Sequence, residues 1–596
     1  MKAEPARRNG RSQAFFEDYP NCALPPLPPL QSPWDATVPD RLGLPNRPLV
    51  RGALRLGFLA SGFAAFHRGL AGRVEDYVRM DLAPDKSQPP GPRHSAVLAL
   101  ADQPGADPFL RGASLLAALW ELYGDFQGGR FRPDGARGKA LETRPYLNLM
   151  GSSILFEDGA FRLVKTPSAS RFLVLARRRM YVVDLEAGPE GPTVGAFRSA
   201  LERVWETANS EVSPEKTLGM LTCAPGETQA AVFRALSQDP ASREALEMVK
   251  DCFATLCLEL DQFPESDAEA AAMWTGGDYG NRWAYSCLQT VVYGNGKACQ
   301  IVNPNCGVPG NVAMRTAAEL QRRGVALAGA GGGSAGRASI TEPRWKLEDV
   351  SFEPAAAGLA RLRDDQQATF DLTGIGRPTL EDAGLRPVEF FVIALQHVTY
   401  RLTGRLPVVR QMVAAEQYRY GMLGAAVVST PEMAALQEAL RDPGAAPAAL
   451  RGLYMDAVES QRRACRGERS MVGVERQLKW FMSGLGGARR RYAQAVMNAV
   501  WRVVGQPSRP KSDLLISHPA IMEEVPVLGR PRVRLPQVNC FGLHYQILDD
   551  RIRLTFMPAV SWTFSNETVV AELEASLREL AERIGAGSAE PATAAV

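Results

Sequence analysis

Apolar residues recur every three or four positions along two stretches of the chain, one near each end. The spacing predicts an amphipathic helix over 54–80 and a closing helix that is stopped by Gly585. The apolar positions are Leu56, Leu59, Phe63, Phe66, Leu70, Val74 and Val78 in the first stretch and Val570, Leu573, Leu577, Leu580 and Ile584 in the second. Short apolar runs at 152–156, 172–176 and 180–185 predict strands. Helices and strands that follow one another in this way indicate a mixed α/β fold.

The middle of the chain carries the clearest local signal. Apolar runs at 288–293 and 298–302 flank the dipeptide Asn295-Gly296. Asn-Gly between two such runs is the strongest short-range hairpin signal, because both central residues of the tight turn need a positive φ. We therefore predict a β-hairpin over 288–302, followed by a helix over 311–321.

Composition places the chain among ordinary globular proteins. It has 596 residues, of which 45% are hydrophobic and 22% are charged, and its net charge is +3. A charge this small argues neither for nor against nucleic acid, and because no long basic stripe is present we expect no nucleic-acid partner. Two short arginine clusters, at 177–179 and 489–491, fit either a solvated surface or the docking of an acidic partner.

Cysteine and histidine usage indicates the compartment. The chain has nine cysteines without a Cys-x-x-Cys pair, and only five histidines. This pattern predicts reduced thiols, with neither a disulfide framework nor a metal site. The polar N-terminus lacks the apolar run of a signal peptide, and no stretch approaches the roughly 18 apolar residues of a membrane helix. We expect a cytoplasmic protein without a membrane span.

Three short motifs around the hairpin carry a family resemblance. Asn281-Arg282-Trp283, Leu288-Gln289 and Asn295-Gly296-Lys297-Ala298 together resemble the signature stretch of the choline/carnitine acyltransferase family. Further blocks, such as Gly473-Val-Glu-Arg476 and Phe541-Gly542-Leu-His544-Tyr545, extend the resemblance along nearly the whole chain.

The resemblance implies the fold. Family members consist of two α/β domains that resemble chloramphenicol acetyltransferase, with a tunnel along their interface. In this chain the domains correspond to 23–370 and 371–588, between flexible tails at 1–22 and 589–596. In the family, CoA and the acyl acceptor enter from opposite mouths of the tunnel and meet at a catalytic His, the general base.

The family's central catalytic group is missing from its expected position. In the family, the second strand of the hairpin ends in Glu-His, and those two slots hold Asn303 and Pro304 here. Proline has no side-chain base, so the parent mechanism cannot operate at this position.

Both mouths of the implied tunnel also differ from the family. The paired lysines that hold the 3′-phosphate of CoA align with Glu381 and Asp382, which would repel a phosphate. The family's carnitine-binding Tyr aligns with Arg410, and a cation at that position disfavours a trimethylammonium acceptor and suits an anionic one. We therefore expect neither ordinary CoA nor carnitine or choline as a substrate.

Four other side chains are candidates for the altered site. The family's Ser-Thr-Ser run, which stabilises the oxyanion, corresponds to the segment of Ser517 and His518, and His544 lies on a strand that lines the family's active site. Either histidine is a candidate for a relocated general base, or both fill a vacated pocket as hydrogen-bonded structure. Tyr545, beside His544, is a candidate substrate contact.

A thiol close to the missing base is a further candidate. Cys306 follows Pro304 by two residues and is a candidate acyl-accepting nucleophile or substrate contact, or an inert thiol.

These departures predict a changed acyltransferase. A phosphopantetheine thioester on a carrier protein lacks the 3′-phosphate, so it fits the loss of the lysines, with CoA as the alternative donor. We expect acyl transfer or condensation in specialised metabolism, with an acyl carrier protein as a partner and without a tightly bound cofactor. The rival hypothesis, from another class, is a catalytically silent protein that binds an acyl intermediate or acts as a scaffold.

Overall fold

The computed structural model describes residues 27–584, apart from 83–94, 104–106, 132–140, 158, 166–169, 187–190, 211–212, 267–268, 271–272, 274–278, 304–305, 307, 309, 330–335, 364–368, 505–513, 518–526, 530–540 and 558–563.

Helices and strands are both present in each half of the described chain, as the apolar pattern predicts. The helices are α1 (Val38–Leu42), α2 (Pro48–Ala60), α3 (Phe63–Leu70), α4 (Val74–Leu82), α5 (Pro108–Gln127), α6 (Arg144–Leu149), α7 (Val194–Asn209), α8 (Leu218–Leu221), α9 (Gly226–Gln238), α10 (Pro240–Lys250), α11 (Gly310–Gly329), α12 (Glu353–Arg363), α13 (Arg377–Asp382), α14 (Pro387–Thr403), α15 (Pro431–Ala439), α16 (Pro447–Ser470), α17 (Val474–Gly484), α18 (Gly487–Val503) and α19 (Asn566–Arg583). The strands are β1 (Ala96–Ala99), β2 (Ser152–Glu157), β3 (Ala160–Lys165), β4 (Arg171–Ala176), β5 (Arg179–Leu185), β6 (Ala254–Glu259), β7 (Leu288–Tyr293), β8 (Ala298–Val302), β9 (Ala338–Thr341), β10 (Thr369–Thr373), β11 (Val409–Ala415), β12 (Met422–Val427), β13 (Leu514–Ser517), β14 (Val527–Gly529), β15 (Phe541–Ile547) and β16 (Arg551–Met557).

The larger sheet has eight strands in the order β14-β1-β8-β7-β6-β4-β5-β9. The predicted hairpin is confirmed at its centre: β7 and β8 pair antiparallel, with Thr290 opposite Gln300. Gly296 in the connecting turn has φ of 80°, a conformation that glycine adopts without steric cost. The helix that follows the hairpin is α11, which extends the predicted segment in both directions.

The smaller sheet has six strands in the order β10-β16-β15-β13-β11-β12. One face packs on α14 and α19 through a buried core that includes Phe391, Leu543 and Leu577. Because neighbouring residues of a strand point to opposite faces, Leu543 and Tyr545 lie on the core face, whereas His544 and Gln546 lie on the other. This alternation decides which candidate residues can share a site.

The predicted fold class, α/β with two sheet-centred units, is confirmed. Each sheet has its own hydrophobic core, and the second one begins at β10. Two segments cross between the halves of the chain: β14 joins the larger sheet beside β1, and α1 and α2 pack against α17 and α18. The domain limits expected from the resemblance stay a prediction.

The predicted single helix over 54–80 is wrong. Gly62, with φ of 85°, lies in the left-handed region, so the chain turns between α2 and α3 instead of continuing as one helix. The turn changes which side chains are buried: Phe63 is buried, whereas Leu56 is 70% exposed. In the described residues no single helix has the length and apolarity to cross a membrane. Two consecutive segments, Pro48–Ala60 and Phe63–Val78, reach that length and apolarity only when taken together, and they meet at a bend of 77°.

Candidate functional site

The first candidate position is the end of β8, where the resemblance places the family's catalytic pair. Asn303 is buried, and its side-chain Nδ2 donates to the carbonyl of Ala284 at 3.1 Å. Its backbone N–H donates to the carbonyl of Cys287 at 3.0 Å. Through these bonds, Asn303 holds the backbone at the end of β8 in place. Pro304 lies outside the described residues.

Two buried thiols lie behind this strand end. Cys306 is fully buried and its Sγ donates to the carbonyl of Asn303 at 2.7 Å. Burial raises the pKa of the Cys287 thiol well above its usual range, and contact with the Cys306 thiol raises it further. A nucleophilic thiol needs the opposite environment, one that favours the thiolate. The role of Cys306 as a nucleophile stays a prediction.

The second group of candidate positions is on the face of the smaller sheet that points away from its core. Parallel pairing places the position of Ser517 on β13 opposite His544 on β15, and antiparallel pairing places His544 opposite Thr555 on β16. Neighbouring strands are roughly 4.8 Å apart, so these three positions form a row across the sheet. His544 is 1% exposed and Thr555 is 0% exposed, so the row includes two deeply buried polar side chains.

The structure does not bring all the predicted residues to this row. His518 lies outside the described residues. Tyr545 lies on the opposite, core face, where its ring stacks on Phe391 with centroids 4.2 Å apart. Burial raises the pKa of the Tyr545 phenol well above its usual value. Its predicted contact with a substrate remains a prediction from the resemblance.

Arg410 shares the polar face of the sheet with His544, because its register partners Leu515 and Gly542 lie an even number of positions from Ser517 and His544. The guanidinium is buried and its Nη1 lies 2.6 Å from Oε2 of Glu475 on α17. The cation that the resemblance aligns with the family's Tyr therefore forms an ion pair with a carboxylate of the same chain.

Glu468 adds a second carboxylate next to this pair. Its Oε2 lies 4.0 Å from Nη1 of Arg41, and its side chain is 20% exposed. A Cβ at Gly424 would lie 2.7 Å from the Glu468 carboxylate, so glycine at this position leaves room for the half-buried acid. Burial raises the pKa of Glu468 to about 7, against an opposing effect of Arg41 and Arg476.

The raised pKa of Glu468 makes stability depend on pH. The folded state binds this proton more tightly than the unfolded state, whose pKa is near 4.5. The stabilisation is thus fully present below pH 4.5 and is lost as the pH rises through about 7. Replacing Glu468 with Gln is expected to raise the free energy of unfolding above pH 7 by about 1–3 kcal/mol and to change it little in acid. Urea unfolding across this range measures the difference, and a difference that does not vary with pH would contradict the assignment.

The structure has a buried ion pair between the two halves of the chain, which the sequence did not predict. Nη1 of Arg315 on α11 lies 2.8 and 2.9 Å from the two carboxylate oxygens of Glu416, which follows β11. Asn311 Nδ2 donates to the same carboxylate, and the Glu142 N–H donates to the Glu416 carbonyl at 2.8 Å. The only local signal is a charged residue, Arg315, placed between apolar positions of a helix, and it names no partner.

The positions aligned with the CoA lysines are open to solvent. Glu381 and Asp382 end the short helix α13 and both are exposed. Nη1 of Arg377, one turn earlier, lies 3.8 Å from the Glu381 carboxylate. Among the residues that the structure describes, no group of three or more His, Cys, Asp or Glu side chains could hold a metal ion.

These features define an α/β protein with two large sheets and a third of two strands, β2 and β3, and with buried histidine, arginine and carboxylate side chains at and beside one polar sheet face. Similarity to known proteins gives the family. The chain belongs to the choline/carnitine O-acyltransferase family, whose model matches residues 87–579. The predicted family membership is therefore confirmed.

Individual relatives match at low identity. Choline O-acetyltransferase of Danio rerio is 25% identical over 291 residues, which are 46% of this chain and 45% of the relative. The Homo sapiens enzyme of the same name is 23% identical over 392 residues, 62% of this chain and 52% of the relative. Mitochondrial carnitine O-acetyltransferase of Saccharomyces cerevisiae is 36% identical over 81 residues, 14% of this chain and 12% of the relative. The chain spans about half the length of the choline O-acetyltransferases it matches.

Solved structures with a similar fold include condensation domains of synthetases. The first condensation domain of the calcium-dependent antibiotic synthetase has a TM-score of 0.38 at 12% identity and covers 87% of this chain and 95% of its own. The starter condensation domain of rhizomide synthetase has a TM-score of 0.35 at 11% identity, with coverage of 87% and 96%.

Proposed function

We propose that this protein transfers an acyl group, or condenses it with an acceptor, from a phosphopantetheine thioester that a carrier protein presents. The observation that carries the proposal is the exposed pair Glu381 and Asp382 at the positions that the resemblance aligns with the phosphate-binding lysines. Two carboxylates there repel the 3′-phosphate of CoA, whereas phosphopantetheine on a carrier protein has no phosphate at that position. Assembly of specialised metabolites in the cytoplasm is the setting that this chemistry suits.

The proposed reaction needs one base and one oxyanion contact. His544 takes the proton of the acceptor's O–H or N–H as the acceptor attacks the thioester carbonyl. The C–S bond then breaks, and the imidazolium returns the proton to the leaving thiolate. Histidine suits this role because its charge changes near neutral pH. Ser517, beside it in register, is the proposed hydrogen-bond donor to the oxyanion, and His518 is the other candidate base.

Restoring the missing cations tests the choice of donor. The double substitution Glu381→Lys/Asp382→Lys is expected to lower the Kd for CoA by roughly tenfold or more, because it replaces repulsion with charge-assisted hydrogen bonds to the 3′-phosphate. The Kd for pantetheine should stay the same. Titration calorimetry with CoA, 3′-dephospho-CoA and pantetheine measures this.

The matched control is Glu227→Lys/Glu244→Lys, which makes the same change of net charge at two exposed positions of the N-terminal half. A similar gain in this control, or a gain with dephospho-CoA, would show a general charge effect. An unchanged Kd for CoA in the Glu381→Lys/Asp382→Lys protein would contradict the assignment of these residues to the CoA mouth.

A second candidate function is a silent protein that binds an acyl intermediate or acts as a scaffold. The observation that favours it is the buried pair Arg410–Glu475: the side chain aligned with the family's acceptor-binding Tyr is held by a carboxylate of the chain itself. The two functions differ in turnover. The silent protein binds an acyl thioester without releasing thiol.

A further inference from the structure

A wide cleft lies at the outer edge of the larger sheet, and none of its lining residues belongs to the site described above. Its volume is about 910 Å³, within the range of small-molecule sites. Three segments form most of its walls: the turn between β4 and β5, residues 214–218, and residues 340–348, which begin at the end of β9. The lining includes Arg178 and Arg179, which belong to the arginine cluster at 177–179 noted in the sequence.

Positive charge dominates the cleft. Its cationic side chains are Arg178, Arg179, Lys216, Arg344 and Lys346, and its acidic ones are Asp239, Glu342 and Glu348. Two of the acids are already engaged. Glu342 lies 2.7 Å from Nη1 of Arg179, and the Asp239 carboxylate accepts the Ser242 N–H at 2.9 Å as the N-cap of α10. With five cations and three carboxylates, the lining has an excess of positive charge, so the cleft favours an anion.

Two of these cations are exposed, and neither is held by a side-chain hydrogen bond in the described part of the chain. Arg344 has no charged partner there, whereas the Lys346 ammonium is attracted by the Asp239 carboxylate and its backbone N–H donates to Ser242 Oγ at 2.9 Å. Both line the cleft, as does Trp345, which lies between them in the sequence. Exposed cations without side-chain hydrogen bonds can turn to a ligand without breaking a buried contact.

The arginine turn is built in a costly conformation. Arg177 and Arg178 have φ of 49° and 67°, in the left-handed region that non-glycine residues seldom adopt. The Asn281 carbonyl oxygen Oδ1 accepts the Arg178 N–H at 3.0 Å, and the Pro214 carbonyl accepts from Arg178 Nη1 at 3.3 Å. Positive φ at both positions is what a two-residue hairpin loop needs, since Ala176 and Arg179 pair across it, and the turn places Arg178 and Arg179 in the lining of the cleft.

Most of the remaining lining is apolar, apart from Thr217 and Thr341. A half-buried indole, Trp345, lies between Arg344 and Lys346 in the sequence, and other apolar side chains complete the wall: Met180, Leu218, Ile340, Pro343 and Leu347. An indole offers a flat surface on which a base can stack, and the cations match phosphate oxygens.

We propose that this cleft binds a small phosphate ester with a flat aromatic body, that is, a ligand of the nucleotide class. The site is separate from the acyl-transfer site, and the proposal does not rest on the proposed function. Phosphate oxygens bind Arg344, Lys346 and Lys216, and the base lies against Trp345.

The test is titration calorimetry of the full chain with ADP, adenosine and inorganic phosphate as probes. ADP should bind more tightly than either fragment, and added salt should weaken the binding. The variant Arg344→Glu/Lys346→Glu should weaken ADP binding by roughly tenfold or more, and Trp345→Leu should weaken it while keeping its salt dependence.

The control variant Arg490→Glu/Arg491→Glu makes the same charge change in the exposed arginine cluster on α18. Its ADP affinity should equal that of the wild type. The proposal is overturned by any of three results: no ADP binding, equal loss in the control, or inorganic phosphate that binds as tightly as ADP.

Discussion

Alanine in place of His544 is expected to slow thiol release from an acyl-pantetheine thioester by roughly 10²–10⁴-fold, the usual contribution of a general base. The imidazole is 1% exposed on the polar face of the smaller sheet, next in register to Ser517. In a water-poor site of this kind, no solvent molecule replaces the lost base efficiently. Initial rates at saturating thioester measure the effect on kcat.

A buried side chain also has a structural role, so the design must separate the two. His544→Gln keeps a hydrogen-bonding side chain of similar size and should retain the Tm of the wild type while losing the same activity. The pH profile of kcat should lose its acidic limb in this variant. If His544→Gln is active and His518→Ala is not, the base is His518. If both variants keep full activity, neither histidine is the base.

Alanine in place of Glu416 is expected to lower the free energy of unfolding by about 3–5 kcal/mol, because it leaves the buried guanidinium of Arg315 without its carboxylate. Both side chains are at most 9% exposed. Asn311, which donates to the same carboxylate, also loses its acceptor. Arg315→Ala should cost a similar amount. Urea unfolding with matched m-values measures the change.

The double substitution Arg315→Met/Glu416→Leu is the control for this pair. It removes both charges and fills the space, so it should recover most of the lost stability. If the double variant is as unstable as the sum of the two single ones, the loss comes from packing and not from an uncompensated charge.

The parts of the fold that local patterns encode could be predicted. The hairpin at Asn295-Gly296 and the closing helix depend on a turn dipeptide and on apolar spacing, and both are present. The helix over 54–80 was predicted wrongly because apolar spacing continues through Gly62, whereas the backbone conformation at that glycine ends the helix. Apolar spacing describes the side chains only, so it does not show that one residue has a left-handed backbone conformation.

The candidate site could be predicted from the sequence only in part. The family motifs located Arg410 and His544, but the ion-pair partner of Arg410 lies on another helix, and no local pattern names Glu475. The pair Arg315–Glu416 joins residues 101 positions apart. Tertiary packing determines which residue pairs with a buried charge. A single sequence therefore shows the charged residue but not the residue that forms its ion pair.

The measurement that tests the central claim most directly is thiol release by the wild-type protein from matched acyl-CoA and acyl-pantetheine thioesters, with amine and alcohol acceptors supplied. We expect faster release from acyl-pantetheine, because Glu381 and Asp382 repel the phosphate that only CoA carries. Equal or faster release from acyl-CoA would contradict the proposed donor. Release from neither thioester would contradict the proposed catalysis and favour the silent acyl-binding protein.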